Sequence, residues 1–170
     1  MEKHLWKFLR LRPVNFPTLR IAQFAALLAG NERLFAGILD CSETEEIRRY
    51  FSVQASAFWN THYTFETESP GRVKTLGTDA FHVIVINAII PLLFVYGQRS
   101  GREIYKERAF EWLGRLPAEK NRHVTRWKNT GIEAATSFYS QALLQLTGNY
   151  CSKKRCLACS IGMHIITKGL

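Results

Sequence analysis

Thr78-Asp79-Ala80-Phe81-His82-Val83-Ile84-Val85-Ile86-Asn87-Ala88-Ile89-Ile90-Pro91-Leu92-Leu93-Phe94-Val95-Tyr96 is the stretch on which the fold turns. Thr78-Asp79 suits a helix start, and from Asp79 to Tyr96 apolar residues occur nearly all round a helix. Such a helix belongs at the centre of a fold rather than on its surface. Pro91 has no backbone N–H, which leaves the carbonyl of Asn87 without its usual helical partner. Asn87 and Pro91 therefore mark one polar, kinked spot inside the expected core, to be satisfied by a side chain or a water. The same interruption makes Val83 to Tyr96 too short to span a bilayer, and no membrane partner is expected.

Helical patterns flank this centre on both sides. A turn or two of helix is expected over Met1 to Leu11, broken by the two closely spaced prolines Pro13 and Pro17. Thr18 then caps a helix over roughly Leu19 to Ala29, stopped at Gly30-Asn31, with a short helix following from Glu32 to Leu39. Ser42 with Glu45 reads as a capping box for the next helix, and Glu66 to Arg72 reads as the clearest loop. Beyond the centre, Ser100 with Glu103 reads as a second capping box. A basic helix is expected over Glu119 to Lys128, and an apolar one over Ile132 to Leu146. No period-2 strand pattern, repeat or low-complexity run is evident. The expectation is an all-α protein: a single helical domain over residues 1–170, with about seven helices around the central one.

At 170 residues with 46% hydrophobic content, the chain is long and apolar enough to bury a core. The net charge of +9 favours an acidic partner, with DNA or RNA the first expectation. The opening residues are basic and amphipathic without the apolar core of a secretory signal, so a cytoplasmic setting is expected. There, clustered cysteines bind metal or do redox chemistry more often than they form disulfides.

Cys151, Cys156 and Cys159 form such a cluster, in C-x4-C-x2-C spacing. Cys156 and Cys159 are three apart and share one side of a helical turn, with Cys151 reaching across from the preceding loop. The spacing is that of plant-type iron–sulfur proteins, and tetrahedral zinc would use the same thiolates, so the expected cofactor is an iron–sulfur cluster or zinc. Either needs a fourth ligand, for which Cys41, His62, His82, His123 and His164 are all open. The alternative is three small buried hydrophobes closing the C-terminal helix.

Several segments recur together in a way that resembles a known family. They are Arg12-Pro13-Val14-Asn15-Phe16-Pro17-Thr18-Leu19-Arg20, Ile86-Asn87 with Pro91 and Phe94, Pro117-Ala118-Glu119-Lys120-Asn121, and Ser140-Gln141-Ala142-Leu143 leading into the cysteines. Over Trp6 to about Ile166 the chain resembles an uncharacterised bacterial domain-of-unknown-function family, number 2851, and brings no known activity with it. The resemblance implies a longer pattern with a preceding half similar to restriction-endonuclease-like nucleases. This chain would correspond to its C-terminal portion alone, with that half as a partner. No paired carboxylates on a strand, nucleophile with its base, or Gly-rich phosphate loop is legible, so no catalytic residue is expected.

The basic residues supply the second candidate site. Arg122 and Arg126 are four apart on one helix side, Arg12 and Arg20 flank the double-proline turn, and Lys153, Lys154 and Arg155 lie inside the cysteine loop. Such groups hold phosphates by releasing counterions, and Trp127 and Tyr150 are placed in sequence to stack on bases. The leading expectation is a nucleic-acid-binding helical accessory domain with a metal-stabilised cysteine loop. Its rival is a structural or protein-interaction module with neither property.

Overall fold

The computed structural model describes residues 5–11 and 13–168, and among these the chain is all-α, with two isolated bridge pairs and no strand. It divides into two compact units, residues 1–82 and 83–170.

The first unit contains α1 (Pro17–Ala29), α2 (Leu34–Asp40), α3 (Thr44–Phe51) and the single turn α4 (Phe58–Thr61). Residues 6–11 are not helical, unlike the expected opening helix. Trp6 and Phe8 instead join an aromatic cluster with Phe16, Tyr63, Phe65 and Trp59, which aligned helical spacing would not bring together. Thr18 does not cap α1. Pro17 occupies the first turn, where its missing N–H costs nothing, and Thr18 Oγ1 donates to the carbonyl of Tyr63 at 2.5 Å. The expected capping box of Ser42 with Glu45 does not form: Glu43 is the N-cap of α3 and makes no side-chain cap bond, while Glu46 accepts from the Ser42 N–H.

Lys74 organises the loop that follows α4. Only 6% of it is accessible, and its ammonium donates to the carbonyls of Trp59 at 2.7 Å, His62 at 2.9 Å and Asn60 at 3.2 Å, and to Ser69 Oγ at 3.3 Å. The Tyr63 ring lies 3.9 Å from Nζ. Burial, with Arg72 nearby, pushes the lysine below its ordinary pKa.

α5 (Thr78–Ile84), a π turn over Val85–Ile89 and α6 (Ile90–Ser100) make up the apolar segment, and the boundary between the units falls within α5. The segment is 23 residues long, longer than the expected Asp79 to Tyr96, and by length and composition it is apolar enough to cross a membrane. That corrects the expectation that it is too short. Core helices pass the same measure. Here the buried positions Phe81, Val85, Ile86, Ile89, Ile90, Leu93 and Gly97 form one stripe at i, i+4 spacing.

Pro91 is accommodated by widening rather than kinking. The N–H of Ile90 bonds five residues back to the Val85 carbonyl, and the extra residue absorbs the missing donor. The widened turn carries Asn87 to the exposed side, which corrects its placement in the core. Its amide donates to the Val83 carbonyl at 3.0 Å, one helical turn back.

Gly101, with φ of 69°, ends α6 and reverses the chain into α7 (Glu103–Arg115). Ser100 therefore closes α6, donating to the Tyr96 carbonyl, and the expected box with Glu103 does not form. Gly97 lets the two helices approach. A Cβ there would lie 3.0 Å from the Arg102 carbonyl. Ala109 and Trp112 on α7, and Leu116 at its C-cap, are buried.

α8 (Arg122–Asn129) and α9 (Ser137–Leu146) complete the bundle of the second unit. Ser137 bonds α9 to the end of α7, its hydroxyl donating to Leu113 and its N–H to the Leu116 carbonyl. The neighbouring Thr136 hydroxyl is buried with no hydrogen-bond partner among the described residues. Thr136→Val keeps the shape and removes that desolvated group. It should raise stability by about 0.5–1 kcal/mol in denaturant titration, and a loss would mean the hydroxyl is bonded after all.

Candidate functional site

Charge singles out the second unit. It holds thirteen Lys and Arg against five Asp and Glu, whereas the first holds ten against nine, so eight of the nine net positive charges belong to it. Within residues 120–170 the single acidic residue is Glu133. Its carboxylate is bonded to Lys128 Nζ at 2.6 Å, an attachment that lowers the pKa of Glu133 and raises that of Lys128.

α8 presents most of this charge. The expected helix from Glu119 starts instead at Arg122, because Asn121 is the N-cap. Its side chain accepts from the N–H groups of His123 and Val124, both at 3.0 Å. The helix ends where Gly131, with φ of 87°, turns the chain and Ile132 bonds back to the Trp127 carbonyl. Arg122 and Arg126 are both exposed, as their spacing predicts. Arg122 Nε donates to His123 Nε2 at 3.3 Å, an arrangement that leaves the imidazole proton on Nδ1.

Against α8 lies the π turn Thr147–Cys151, which extends α9. Trp127 Nε1 donates to Thr147 Oγ1 at 2.8 Å, and Thr147 in turn donates to the Leu143 carbonyl. A cleft of about 280 Å³ opens beside this bond, lined by His123, Arg126, Trp127, Thr130, Thr147, Cys151 and Ser152. Trp127 is half-buried and its N–H is committed, so it acts as a wall of the cleft rather than an exposed platform.

The next turn carries Lys153, Lys154 and Arg155, all exposed, with Lys154 in the left-handed region at φ of 51°. Cys151 and Cys156 are exposed, and Cys159 is half-buried. A π turn holds Cys151 and a 3-10 turn holds Cys156, and α10 (Ser160–Lys168) begins just after Cys159. The Cys156 backbone packs so closely on Gly162 that a Cβ there would collide with its carbonyl. Among the described residues, no three His, Cys, Asp or Glu side chains are grouped to hold a metal ion. Cys151, Cys156 and Cys159 are thus not gathered into the expected ligand set. Two different turn geometries replace the loop and single helical turn on which that expectation rests.

Other expected residues have different settings. Arg12 lies outside the described residues. Arg20 is half-buried in the first unit, donating to Gln23 Oε1 and Asn15 Oδ1, both at 2.8 Å, and burial lowers its pKa. Gln23 passes the contact on to the Lys74 carbonyl, so Arg20 belongs to an internal network.

One polar constellation was not anticipated. Glu119 accepts from Asn87 Nδ2 at 3.3 Å and from Gln141 Nε2 at 2.5 Å, while its N–H donates to Ser140 Oγ. Asn87, Glu119, Ser140 and Gln141 all lie in segments that carry the family resemblance, and that shared membership was the available signal.

Fold and charge together define a helical module with a basic, clefted second unit. The chain belongs to the family described as Protein of unknown function (DUF2851), whose model matches residues 1–122. The match covers the N-terminal part of the chain, so it supports the family while ending well before Ile166, the expected limit of the resemblance. The run from Ser140 to Gly162 lies outside the match. No curated protein and no solved structure matches the chain.

Proposed function

We propose that the second unit binds nucleic acid through its phosphates, in an accessory and non-catalytic role. The observation that carries this reading is the concentration of eight of the nine net charges in residues 83–170, with exposed cations on α8 and on the Lys153–Arg155 turn, which follows directly in sequence on the cleft-lining Cys151 and Ser152. Cations in this density bind a polyanion by counterion release and carry no base readout of their own.

Binding of single-stranded DNA or RNA by the full chain should therefore weaken steeply with salt. Replacing Arg122 and Arg126 together by alanine should reduce the slope of log K against log salt by about 1–2. The same substitutions on the exposed side of α8 should leave thermal unfolding unchanged. No binding at low ionic strength sinks the reading.

A protein-interaction role has one observation in its favour. Leu157 is 76% accessible, and Ile161 and Ile166 on α10 are each more than half exposed, so the C-terminal segment keeps an apolar face open. Self-association insensitive to salt, in place of nucleic-acid binding, is the outcome that would select it.

A further inference from the structure

The cleft between α8 and the π turn has a chemistry more specific than a basic surface. Arg126 makes no hydrogen bond or ion pair among the described residues, so its full fork of donors is available. His123 keeps Nδ1–H as its ring donor once Nε2 has accepted from Arg122. Ser152 adds a hydroxyl that makes no hydrogen bond among the described residues, its N–H donating to the Thr147 carbonyl. Among the described residues no carboxylate lines the cleft, and Glu133 is already paired with Lys128. A fixed indole forms one wall, its orientation set by the bond to Thr147.

Donors that line one cleft without a carboxylate select an anion, and the indole beside them selects one attached to a flat, apolar group. The volume of about 280 Å³ is at the small end of ligand pockets, enough for one nucleoside and its phosphate rather than a run of strand. A phosphate monoester offers more charge and one more terminal oxygen than an internal diester, and an arginine fork with two or three further donors suits it better. We infer that this cleft is a receptor for a phosphate monoester on a nucleoside, supplied by a 5′-phosphorylated strand end or by a free nucleotide. The inference rests on the nucleic-acid reading above and names the part of the ligand that the cleft takes. Cys151 lies in the cleft wall and serves as its reporter, with exposed Cys156 as the internal control.

The test compares one short single-stranded oligonucleotide with a 5′-phosphate and with a 5′-hydroxyl, bound by the full chain at a fixed salt concentration. The phosphorylated form should bind roughly tenfold more tightly. Arg126→Gln should abolish the difference, and because Arg126 also belongs to the phosphate-binding surface, it should weaken the salt-dependent binding of both strands alike. The phosphorylated strand should also slow alkylation of Cys151 by iodoacetamide and leave Cys156 unchanged, read residue by residue by mass spectrometry. Nucleoside monophosphate that displaces the phosphorylated strand shows the cleft takes free nucleotide too, and failure to displace it assigns the site to strand ends. Both results support the site.

Equal affinity for the two ends overturns the inference and leaves the nucleic-acid reading standing. A preference that survives Arg126→Gln overturns the placement in this cleft. Absence of binding to either strand overturns both.

Discussion

Replacing Lys74 by methionine should lower the melting temperature on the order of 10 °C, from a loss of about 2–4 kcal/mol. Methionine retains most of the stem and its packing, so the change isolates the ammonium. Three main-chain carbonyls, those of Trp59, Asn60 and His62, share that donor, and the Asn60 carbonyl also accepts from the Arg72 N–H at 3.0 Å, so the loss falls chiefly on Trp59 and His62. Hydrogen bonds from a charged group are individually worth more than neutral ones, and stripping a buried acceptor of its donor costs its desolvation. Relief from burying a charge offsets part of the loss, which is why the expected figure stays below the sum of three bonds. Amide exchange should locate the effect, with residues 59–74 losing protection first. A melting shift of less than about 2 °C would show that water replaces the ammonium and that the cage holds nothing together.

Lys74 was also the feature least legible in the sequence. A lysine in a polar loop reads as solvated, and its acceptors are backbone groups twelve to fifteen residues away whose convergence no side-chain pattern announces. Arg20 misled in the opposite direction. It looks like a phosphate contact because it flanks a basic turn, yet it is half-buried and gives one bond each to Asn15 and Gln23 inside the unit.

What local chemistry decides was read correctly. The apolar run after Thr78 is the main helical segment, Gly30 closes α1, and α8 presents Arg122 and Arg126 on one exposed side. The errors within the main segment share one cause. A proline inside a helix can be met by a kink or by one extra residue in the turn, and the two rotate everything before it differently by about 100°. The kink keeps Asn87 in the core, whereas the π turn carries it to the surface and into contact with Glu119. The same limit applies to the cysteines. Their spacing is plain, but whether three thiols meet depends on turn types, and a π turn followed by a 3-10 turn keeps them apart.

Trp112→Ala should cost the second unit about 3–5 kcal/mol, the largest effect expected for any single truncation there. The residue is fully buried, with Ala109 on α7 and Leu116 at its C-cap buried beside it in sequence, and its indole is too large for the surrounding helices to collapse into the space it leaves. A loss of that size is a substantial fraction of the roughly 5–15 kcal/mol that holds a typical domain folded. It should appear as a lower denaturant midpoint with an unchanged slope.

The variant also separates stability from recognition. Trp112 lies outside the cleft, so nucleic-acid binding by Trp112→Ala should follow its folded fraction, falling with temperature as the unit melts and matching the wild type where it is still folded. Arg126→Gln should do the reverse, leaving the midpoint in place and changing binding alone. If Trp112→Ala melts like the wild type, α7 is not packed as its buried stripe requires. The hairpin of α6 and α7, and with it the support for α9 and the cleft, would then need a different arrangement.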